Sequence, residues 1–178
     1  MAVQPAALSI IRAAKQGDNT AFEALLEPVL DQAYRLACGL LHDHQAAEDV
    51  VQESAIKAWR KISNLREGTE MRPWFLGIVA NECRSTRRSR WWSVMHSVLP
   101  ESTEESPDDK IIEGIELRRA LRGMDPDKRL ILVLHWYLDL PLNEIAHITG
   151  TSPDGAESRL LRATRELKRR MEGHRGRP

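Results

Sequence analysis

One segment near the C-terminus, 141–171, constrains the fold of this chain more than any other part of it. Gly150 follows Ala146 by four residues, where a tight turn between two crossing helices needs a residue that tolerates a positive φ. Ser152 is typical of a helix N-cap, and Pro153 is typical of a first helical turn. The segment therefore predicts a helix-turn-helix.

The two helices of this motif have different faces. The first is predicted over 142–149, with Ile145 and Ile148 pointing inward. The second is expected to pack on its domain through Leu160, Leu161, Ala163 and Leu167. Its N-terminus and opposite face carry Ser152, Asp154, Glu157, Ser158, Arg159, Arg162 and Arg165. Early polar and later basic residues suit docking in the major groove of DNA. The alternative is a plain helical hairpin with a solvated basic face.

The rest of the chain is predicted to be all-α, because apolar residues recur at helical spacing almost throughout. A first helix is expected over 8–15, ending at Gly17. Thr20 and Glu23 form a candidate capping box for the second helix, and Pro28 predicts a kink or a short break in it.

A third helix is expected from about residue 46 to residue 62. Its predicted buried stripe consists of Ala47, Val51, Ala55, Ala58 and Ile62, and its second, largely polar face consists of Asp49, Gln52, Glu53, Ile56 and Arg60. A loop is predicted over 64–69, and Pro73 suits the first turn of a helix that runs towards Arg88.

The stretch after this helix lacks sustained periodicity and contains two prolines and an acidic cluster. We therefore predict two small helical domains joined by a flexible linker, with domains at 1–90 and 113–178 and the linker at 91–112. The second domain is expected to have Ile115, Ala120, Leu121 and Met124 in its core. Asp125 and Pro126 predict the cap and first turn of a helix over 127–138.

Charge is balanced overall but segregated along the chain. The 26 basic and 26 acidic residues argue against a protein that coats DNA by bulk charge. Four arginines lie within 84–90 and eight Lys or Arg lie within 159–177, while acidic residues cluster within 101–109. This pattern suggests two separate nucleic-acid contacts. Ordinary solvated helix ends are the alternative for each basic block.

No catalytic or metal-binding constellation is evident in the sequence. Cys38 and Cys83 lack neighbours at metal-ligand spacing and are expected to be small buried thiols. The six histidines have no convincing nucleophile, acid pair or metal partner. No signal-peptide pattern or transmembrane run is present. We therefore expect a cytoplasmic protein that is not an enzyme, binds no cofactor and does not insert into a membrane.

Tryptophan accounts for five of the few aromatic residues. Trp59, Trp74 and Trp136 fall on predicted helices and are expected in the core. Trp91 and Trp92 open the predicted linker, where they either cover the end of the first domain or dock on a protein partner.

Three stretches carry a resemblance to a known family. The first is 47–53, with Ala58, Trp59 and Arg60 behind it. The second is 73–81, followed by the four arginines within 84–90. The third is 143–146, with Ser158, Arg159, Leu160, Arg162 and Ala163 further along the chain. In this order and separation, they resemble the bacterial sigma factors of the sigma-70 class, specifically the extracytoplasmic-function group. The resemblance covers about residues 8–172.

The resemblance implies roles that the residues alone leave open. Asp49, Gln52 and Glu53 match the surface with which such factors bind the coiled-coil clamp of core RNA polymerase; without the resemblance, they are a solvated face. The loop 64–69 and the helix after it match the part that captures the melted minus-ten strand and one flipped base. The residues that would contact that strand are Asn64 and Asn81, together with four arginines that would follow its phosphates: Arg84, Arg87, Arg88 and Arg90. A local helix hydrogen bond is the alternative role of Asn81.

The resemblance also assigns the helix-turn-helix to the duplex minus-thirty-five element. The sequence departs from the family at Ala80 and Ser85, where many members have Arg and Asp. It departs again at Ala156 and Glu157, where many have Val and Lys. Glu157 could accept a hydrogen bond from a cytosine amine, which would be direct readout of sequence.

The implied function is transcription initiation. The implied partners are core RNA polymerase, promoter DNA as duplex and as melted strand, and an anti-sigma factor; Trp91 and Trp92 could dock on the polymerase or on this inhibitor. A stand-alone helix-turn-helix regulator with a dimerising first domain is one alternative. A protein-interaction module with solvated arginines is another. DNA affinity that falls steeply with salt would separate nucleic-acid binding from that module.

Overall fold

The computed structural model describes residues 5–66, 68–96 and 115–175, and the side chains within 9–66, 68–86 and 117–172. Helices make up its regular structure, and no strand occurs in these ranges. The chain divides into two compact units, Met1–Cys83 and Arg84–Pro178. The predicted all-α class with two small domains is confirmed. The predicted linker lies mostly outside the described residues, and its boundaries stay predictions.

The first unit begins with two helices, α1 (Pro5–Lys15) and α2 (Asn19–Leu41). The expected capping box is wrong: the N-cap is Asp18, whose Oδ1 accepts a hydrogen bond from the backbone N–H of Ala21 at 3.1 Å. Asp is at least as good a cap as Thr, and from its position two residues earlier it satisfies one of the first free N–H groups. α2 also continues through Pro28 without the short break that we considered.

Helix α3 (His44–Lys61) begins at Asp43, whose Oδ1 accepts from the N–H of Ala46 at 2.8 Å. Its buried stripe differs from the prediction: Ala47, Ala58 and Ile62 are buried as expected, but Val50 and Ser54 replace Val51 and Ala55, which are half-buried. Serine is a polar residue type, so the spacing of apolar residues predicted that Ala55, and not Ser54, belongs to the buried stripe.

A short 3₁₀ helix (Ile62–Asn64) ends α3, and α4 (Met71–His96) follows after a loop. Gly68 in this loop has φ +80°. The helix α4 extends beyond Arg88, so Trp91 and Trp92 lie in its last turns rather than in a linker. Neither Gly nor Pro interrupts the chain between Gly77 and His96, so local sequence contains no stop signal there. The side chains of both tryptophans lie outside the described residues.

The second unit contains α5 (Ile115–Arg122) and α6 (Pro126–Leu132), which continues as a π-helical turn (Val133–Tyr137). The predicted cap is confirmed, because Asp125 Oδ1 accepts from the N–H of Asp127 at 3.0 Å. Ala120, Leu121 and Met124 are buried as predicted. The side chain of Ile115 lies outside the described residues.

Trp136 is not a core residue, although we predicted it as one: it is 68% exposed. The π-helical turn explains the difference. The N–H of Leu138 donates to the carbonyl of Val133 at 3.0 Å, five residues earlier. The wider turn shifts the following side chains relative to α-helical spacing, so Trp136 leaves the buried face. The other two tryptophans that we predicted in the core, Trp59 and Trp74, are half-buried. Trp59 packs edge-to-face on Phe22, with ring centroids 5.0 Å apart.

The helix-turn-helix forms as predicted, from α7 (Leu142–Thr149) and α8 (Pro153–Arg175). Gly150 is the residue in the left-handed region, with φ +64°, and its N–H bonds the carbonyls at the end of α7. Ile145, Ala146 and Ile148 are buried. The helices α5, α6 and α7 all pack against α8, so α8 is the central helix of the second unit.

Cys38 and Cys83 are buried and form no disulfide, as expected of small buried thiols. Within the described ranges, no cluster of His, Cys, Asp or Glu is suited to a metal ion. None of the described helices combines the length and apolarity needed to cross a bilayer.

Candidate functional site

The first candidate surface lies on α3. Asp49 and Gln52 are exposed and Glu53 is partly exposed, and their spacing of three and four residues places them on one side of the helix. Ile56 continues this side and is 46% exposed. We call these four residues the α3 face. It combines acidic, amide and apolar groups, which suits a basic helical partner with apolar contacts at its centre.

An apolar groove lies between α2 and α3, with a volume of about 750 Å³. Phe22, Leu26, Leu30, Ile56 and Trp59 are among its lining residues. Ile56 belongs to both surfaces, so this groove, which we call the α2–α3 groove, is continuous with the α3 face. Leu30 is partly exposed inside it. An apolar ridge of a partner helix could be buried there.

The loop between α3 and α4 is anchored at its start. Leu65 is buried, and its carbonyl accepts a hydrogen bond from Lys15 Nζ of α1 at 2.8 Å. Asn64 is exposed beside this anchor, at the end of the 3₁₀ helix. The amide of Asn64 is therefore held at a fixed start of the loop and faces solvent.

The described part of α4 has a buried side and an exposed side. Ala80 and Cys83 are buried, whereas Asn81 and Arg84 are exposed and lie three residues apart on one side. An amide and a guanidinium on one exposed side suit a base edge and a phosphate, respectively. The side chains of Arg87, Arg88 and Arg90 lie outside the described residues.

An ion-pair cluster joins α3 to α4. Lys57 Nζ lies 2.5 Å from Glu82 Oε2 and 3.4 Å from Glu53 Oε1. The hydrogen bond from Lys57 to Glu82, together with the charges of both glutamates, raises the pKa of Lys57 above its usual value, against a smaller effect of burial. Sequence reasoning missed this cluster because residues 57 and 82 are far apart in the chain.

The outer side of α8 is the third candidate surface. Its predicted DNA-binding residues Asp154, Glu157, Ser158, Arg159, Arg162 and Arg165 are all exposed. Ser152 is also exposed, and its Oγ accepts from the N–H of Gly155 at 3.1 Å, so it caps the helix. The structure thus brings these residues together at the start and along one side of α8.

Leu161 belongs to this outer side, although we predicted that it would hold α8 on the domain. It is 51% exposed, whereas Ala156 and Ala163 are fully buried. The buried stripe of α8 runs through 156 and 163 with the half-buried Leu160 and Leu167, and residue 161 is rotated about 100° from residue 160. We predicted Leu161 in the core because its side chain is apolar, but its position around the helix places it among exposed polar and basic residues.

The inner side of α8 is held by an acidic residue. Glu166 pairs with Lys128 of α6 at 2.6 Å and with Arg170 at 3.0 Å. The hydrogen bond from Lys128 is the main cause that lowers the pKa of Glu166 below its usual value. Arg170 also packs against Gly123, where a Cβ would lie 2.7 Å from its Nη1. The basic C-terminal block is therefore not uniformly solvated, because Arg170 has a structural role.

Arg129 is the least expected residue of the second unit, since an arginine is rarely 99% buried. Its Nε donates to the carbonyl of Leu121 at 2.7 Å, and its Nη2 donates to those of Arg122 and Met124 at 2.7 and 3.2 Å. These carbonyls lie at and just after the end of α5, where a helix leaves acceptors without internal donors. Arg129 therefore fixes the turn that leads into α6.

Comparison with known proteins places two regions in this chain. Residues 25–93 match the family model described as Sigma-70 region 2, and residues 114–167 match the one described as Sigma-70, region 4. The first match contains the α3 face and the exposed side of α4. The second contains α7 and α8 as far as residue 167.

Two curated relatives are similar along most of their length. The chain is 29% identical to RNA polymerase sigma factor SigV of Bacillus subtilis (strain 168), over 76% of this chain and 81% of that protein. It is also 29% identical to RNA polymerase sigma factor NccH of Alcaligenes xylosoxydans xylosoxydans, over 89% of this chain and 91% of that protein. Further relatives are named ECF RNA polymerase sigma factors.

A solved structure shares the fold. It is the sigma factor RpoE in complex with the anti-sigma factor NepR from Bartonella quintana, with a TM-score of 0.70 and 27% identity over 85% of this chain and 96% of that one. Both of the family's regions occur here in the family's order, on the same helices that carry the exposed surfaces. This chain therefore belongs to the sigma-70 family of RNA polymerase sigma factors, in its extracytoplasmic-function group.

Proposed function

We propose that this transcription initiation factor directs core RNA polymerase to promoters by dividing the contacts between its two domains. The first domain binds the polymerase and the melted minus-ten strand, and the second binds the minus-thirty-five element as duplex. The observation that carries the proposal is the presence of three exposed surfaces, on α3, α4 and α8, within two domains that match the two sigma regions. The protein acts in the bacterial cytoplasm by binding and strand opening, without covalent chemistry or a cofactor.

The polymerase contact is assigned to Asp49, Gln52 and Glu53 of the α3 face. Their carboxylates and amide suit a basic helical clamp, where complementary charge fixes orientation and raises the association rate. Reversing one charge in Asp49→Lys should weaken holoenzyme assembly about tenfold or more, as close charge pairs across interfaces do. Asp31→Lys makes the same charge reversal on the exposed part of α2, outside the α3 face, and is a matched control that should assemble normally. Equal affinities for the two variants would contradict the assignment.

The melted strand is assigned to Asn64 and Asn81, with Arg84, Arg87 and Arg88 on its phosphates. An unstacked base presents its Watson–Crick edge, which a side-chain amide can read, and binding of the captured base offsets part of the cost of opening the duplex. Asn81→Ala should slow promoter opening by holoenzyme, as followed by the fluorescence of 2-aminopurine in the melted region. Unchanged opening would leave Asn81 with only a local hydrogen bond.

The duplex contact is assigned to the outer side of α8. Ser152 caps the helix at its point of entry, Asp154, Glu157 and Ser158 lie early enough to face base edges, and Arg159, Arg162 and Arg165 face phosphates. Leu161 stands among them and can contact a thymine methyl group. Glu157→Ala should relax the preference for cytosine at one upstream position. An unchanged preference in a selection from randomised upstream DNA would contradict direct readout by Glu157.

Transcription tests the whole proposal. The purified chain, mixed with core polymerase and a promoter library, should give transcripts that depend on the chain. A stand-alone regulator would instead bind a palindromic duplex tightly without polymerase. A protein-interaction module would give neither transcripts nor a DNA affinity that falls steeply with salt.

Control by an anti-sigma factor is the remaining part of the proposal. The similar Bartonella quintana structure is a complex with an anti-sigma factor. The α2–α3 groove is an apolar site continuous with the α3 face, so a helix bound there would block polymerase as well. Leu30→Asp should then raise transcription in the source bacterium without an inducing signal, while transcription with purified core polymerase is unchanged. Equal repression of the variant and the natural chain would contradict this site.

A further inference from the structure

Lys57 connects two of the three exposed surfaces. It lies on α3, where it pairs with Glu53 of the α3 face, and it reaches across to Glu82 on α4. Glu82 follows Asn81 directly in the chain, and its side chain is only 17% exposed. A carboxylate thus lies beside the side of α4 to which we assigned the melted strand.

A carboxylate at that position would repel nucleic acid. Residues 81 and 82 are neighbours on α4, with Cα atoms about 3.8 Å apart and side chains rotated about 100° around the helix, so the separation between the Glu82 charge and a strand bound at Asn81 is comparable to the Debye length, about 8 Å at physiological salt. Each phosphate of that strand carries a negative charge. Unless the Glu82 charge is neutralised, it opposes the binding of that strand.

We infer that Lys57 is a positioning residue for the melted strand: it holds and neutralises the Glu82 carboxylate, so that the neighbouring exposed side of α4 accepts a phosphate backbone. The inference rests on the proposed function, because it requires the strand to bind at Asn81. It goes beyond that function by giving a role to a residue of α3 that lies outside the strand-binding surface. Lys57 acts here through Glu82 and not by contacting DNA.

The experiment measures the affinity of holoenzyme for single-stranded DNA. The probe is a dye-labelled oligonucleotide selected from a random pool on holoenzyme made with the natural chain, and binding is followed by fluorescence anisotropy. Lys57→Met should weaken binding about three- to tenfold at about 0.1 M salt. The loss should shrink as salt rises, because exposed charges are screened. Lys61→Met, which removes an exposed lysine one turn further along the same helix, should change affinity by less than about twofold.

The double variant distinguishes the possible roles of Lys57. Adding Glu82→Gln to Lys57→Met removes the unneutralised charge and should restore affinity to within about twofold of the natural chain. Glu82→Gln alone should bind as tightly as the natural chain or slightly more tightly. If Lys57 contacted DNA itself, Glu82→Gln would not restore binding. If the pair were only a structural link, Glu82→Gln alone would weaken binding as much as Lys57→Met. Either result overturns the inference.

Asn81→Ala separates failure of this inference from failure of the proposed function. A loss of affinity in Asn81→Ala without a loss in Lys57→Met would overturn the role of Lys57 alone. Unchanged affinity in both variants would overturn the strand site as well. Thermal unfolding of each variant checks that the chain is folded, and Lys57→Arg, which keeps the charge, should behave like the natural chain.

Discussion

The two domains use charged residues inside their structure for different purposes. In the first, Lys57 and its two glutamates lie at the surface between α3 and α4, where each group keeps part of its contact with water. In the second, Arg129 is fully buried and fixes the turn from α5 into α6, while Glu166 links α6 to α8. Charge in the first domain adjusts the potential of a surface, whereas charge in the second domain fixes the geometry of a helix.

The difference fits the two forms of DNA that we assign to the domains. A melted strand is flexible and adapts to its binding surface, so its affinity depends on the local sign of charge more than on the exact angle of a helix. Duplex DNA is stiff, and a helix in its major groove must present several side chains to successive bases at once. The contacts of Arg129 and Glu166 with the elements around α8 supply that orientation.

The largest expected effect comes from Arg129→Met. Three carbonyls at the end of α5 lose their donor inside the domain, which should destabilise the second domain by about 3 kcal/mol and lower its unfolding temperature by on the order of 15 °C. Calorimetry should show this change in the transition of the second domain, with the first left in place. Arg119→Met, on the exposed side of α5, is the matched control and should unfold like the natural chain.

The same measurement on Lys57→Met tests the contrast between the domains. Lys57 is 34% exposed, and an ion pair that is open to solvent on one side contributes little to folding. This variant should therefore lower the unfolding temperature of the first domain by only a few degrees and lose mainly affinity for the melted strand. If Lys57→Met unfolded the first domain as severely as Arg129→Met unfolds the second, the surface charges of the first domain would be structural and the contrast would fail.

A second, smaller effect is expected from Ala163→Leu. Ala163 is fully buried where α8 packs on its neighbours, so three extra carbon atoms should cost about 2 kcal/mol and tilt α8. Affinity for the minus-thirty-five duplex should fall more than stability alone explains, as measured by anisotropy well below the unfolding temperature. Leu161→Ala changes the exposed side of the same helix and should alter stability by less than about 0.5 kcal/mol. Equal destabilisation by both variants would mean that α8 is packed differently.

Local signals in the sequence predicted much of this fold. Ala146, Gly150 and Ser152 fixed the helix-turn-helix, and Asp125 with Pro126 fixed the start of α6, because caps and turns depend on neighbouring residues alone. Helical spacing also placed the α3 face correctly. Where two nearby residues were equally good candidates for the same cap, the local sequence could not distinguish them. The cap at Asp18 was missed for this reason, whereas the burial of Ser54 was missed because serine is a polar residue type.

The rest depends on contacts between distant parts of the chain. Arg129 and Glu166 look like solvated charges in the sequence, and only the carbonyls of α5 and the lysine of α6 make them structural. The exposure of Trp136 follows from a π-helical turn that periodicity does not encode. Leu161 shows the converse error, since an apolar residue was assigned to the core when its angular position directs it outward.

The smallest effect is expected at Glu166, which contributes less than Arg129 to holding α8 in place. Pairing with Lys128 and Arg170 lowers the pKa of Glu166, so its carboxylate stabilises the second domain above its ordinary pKa of about 4.3 and loses this contribution as pH falls through the lowered value. Glu166→Gln should therefore destabilise the domain at pH 7, by less than about 1 kcal/mol because its partners are partly exposed. The difference between the two proteins should shrink from about pH 5 downward, as the natural residue also becomes neutral. Chemical unfolding at a series of pH values measures it. A difference that stayed constant down to low pH would mean that Glu166 acts through its shape, and charge would then fix α8 through Arg129 alone.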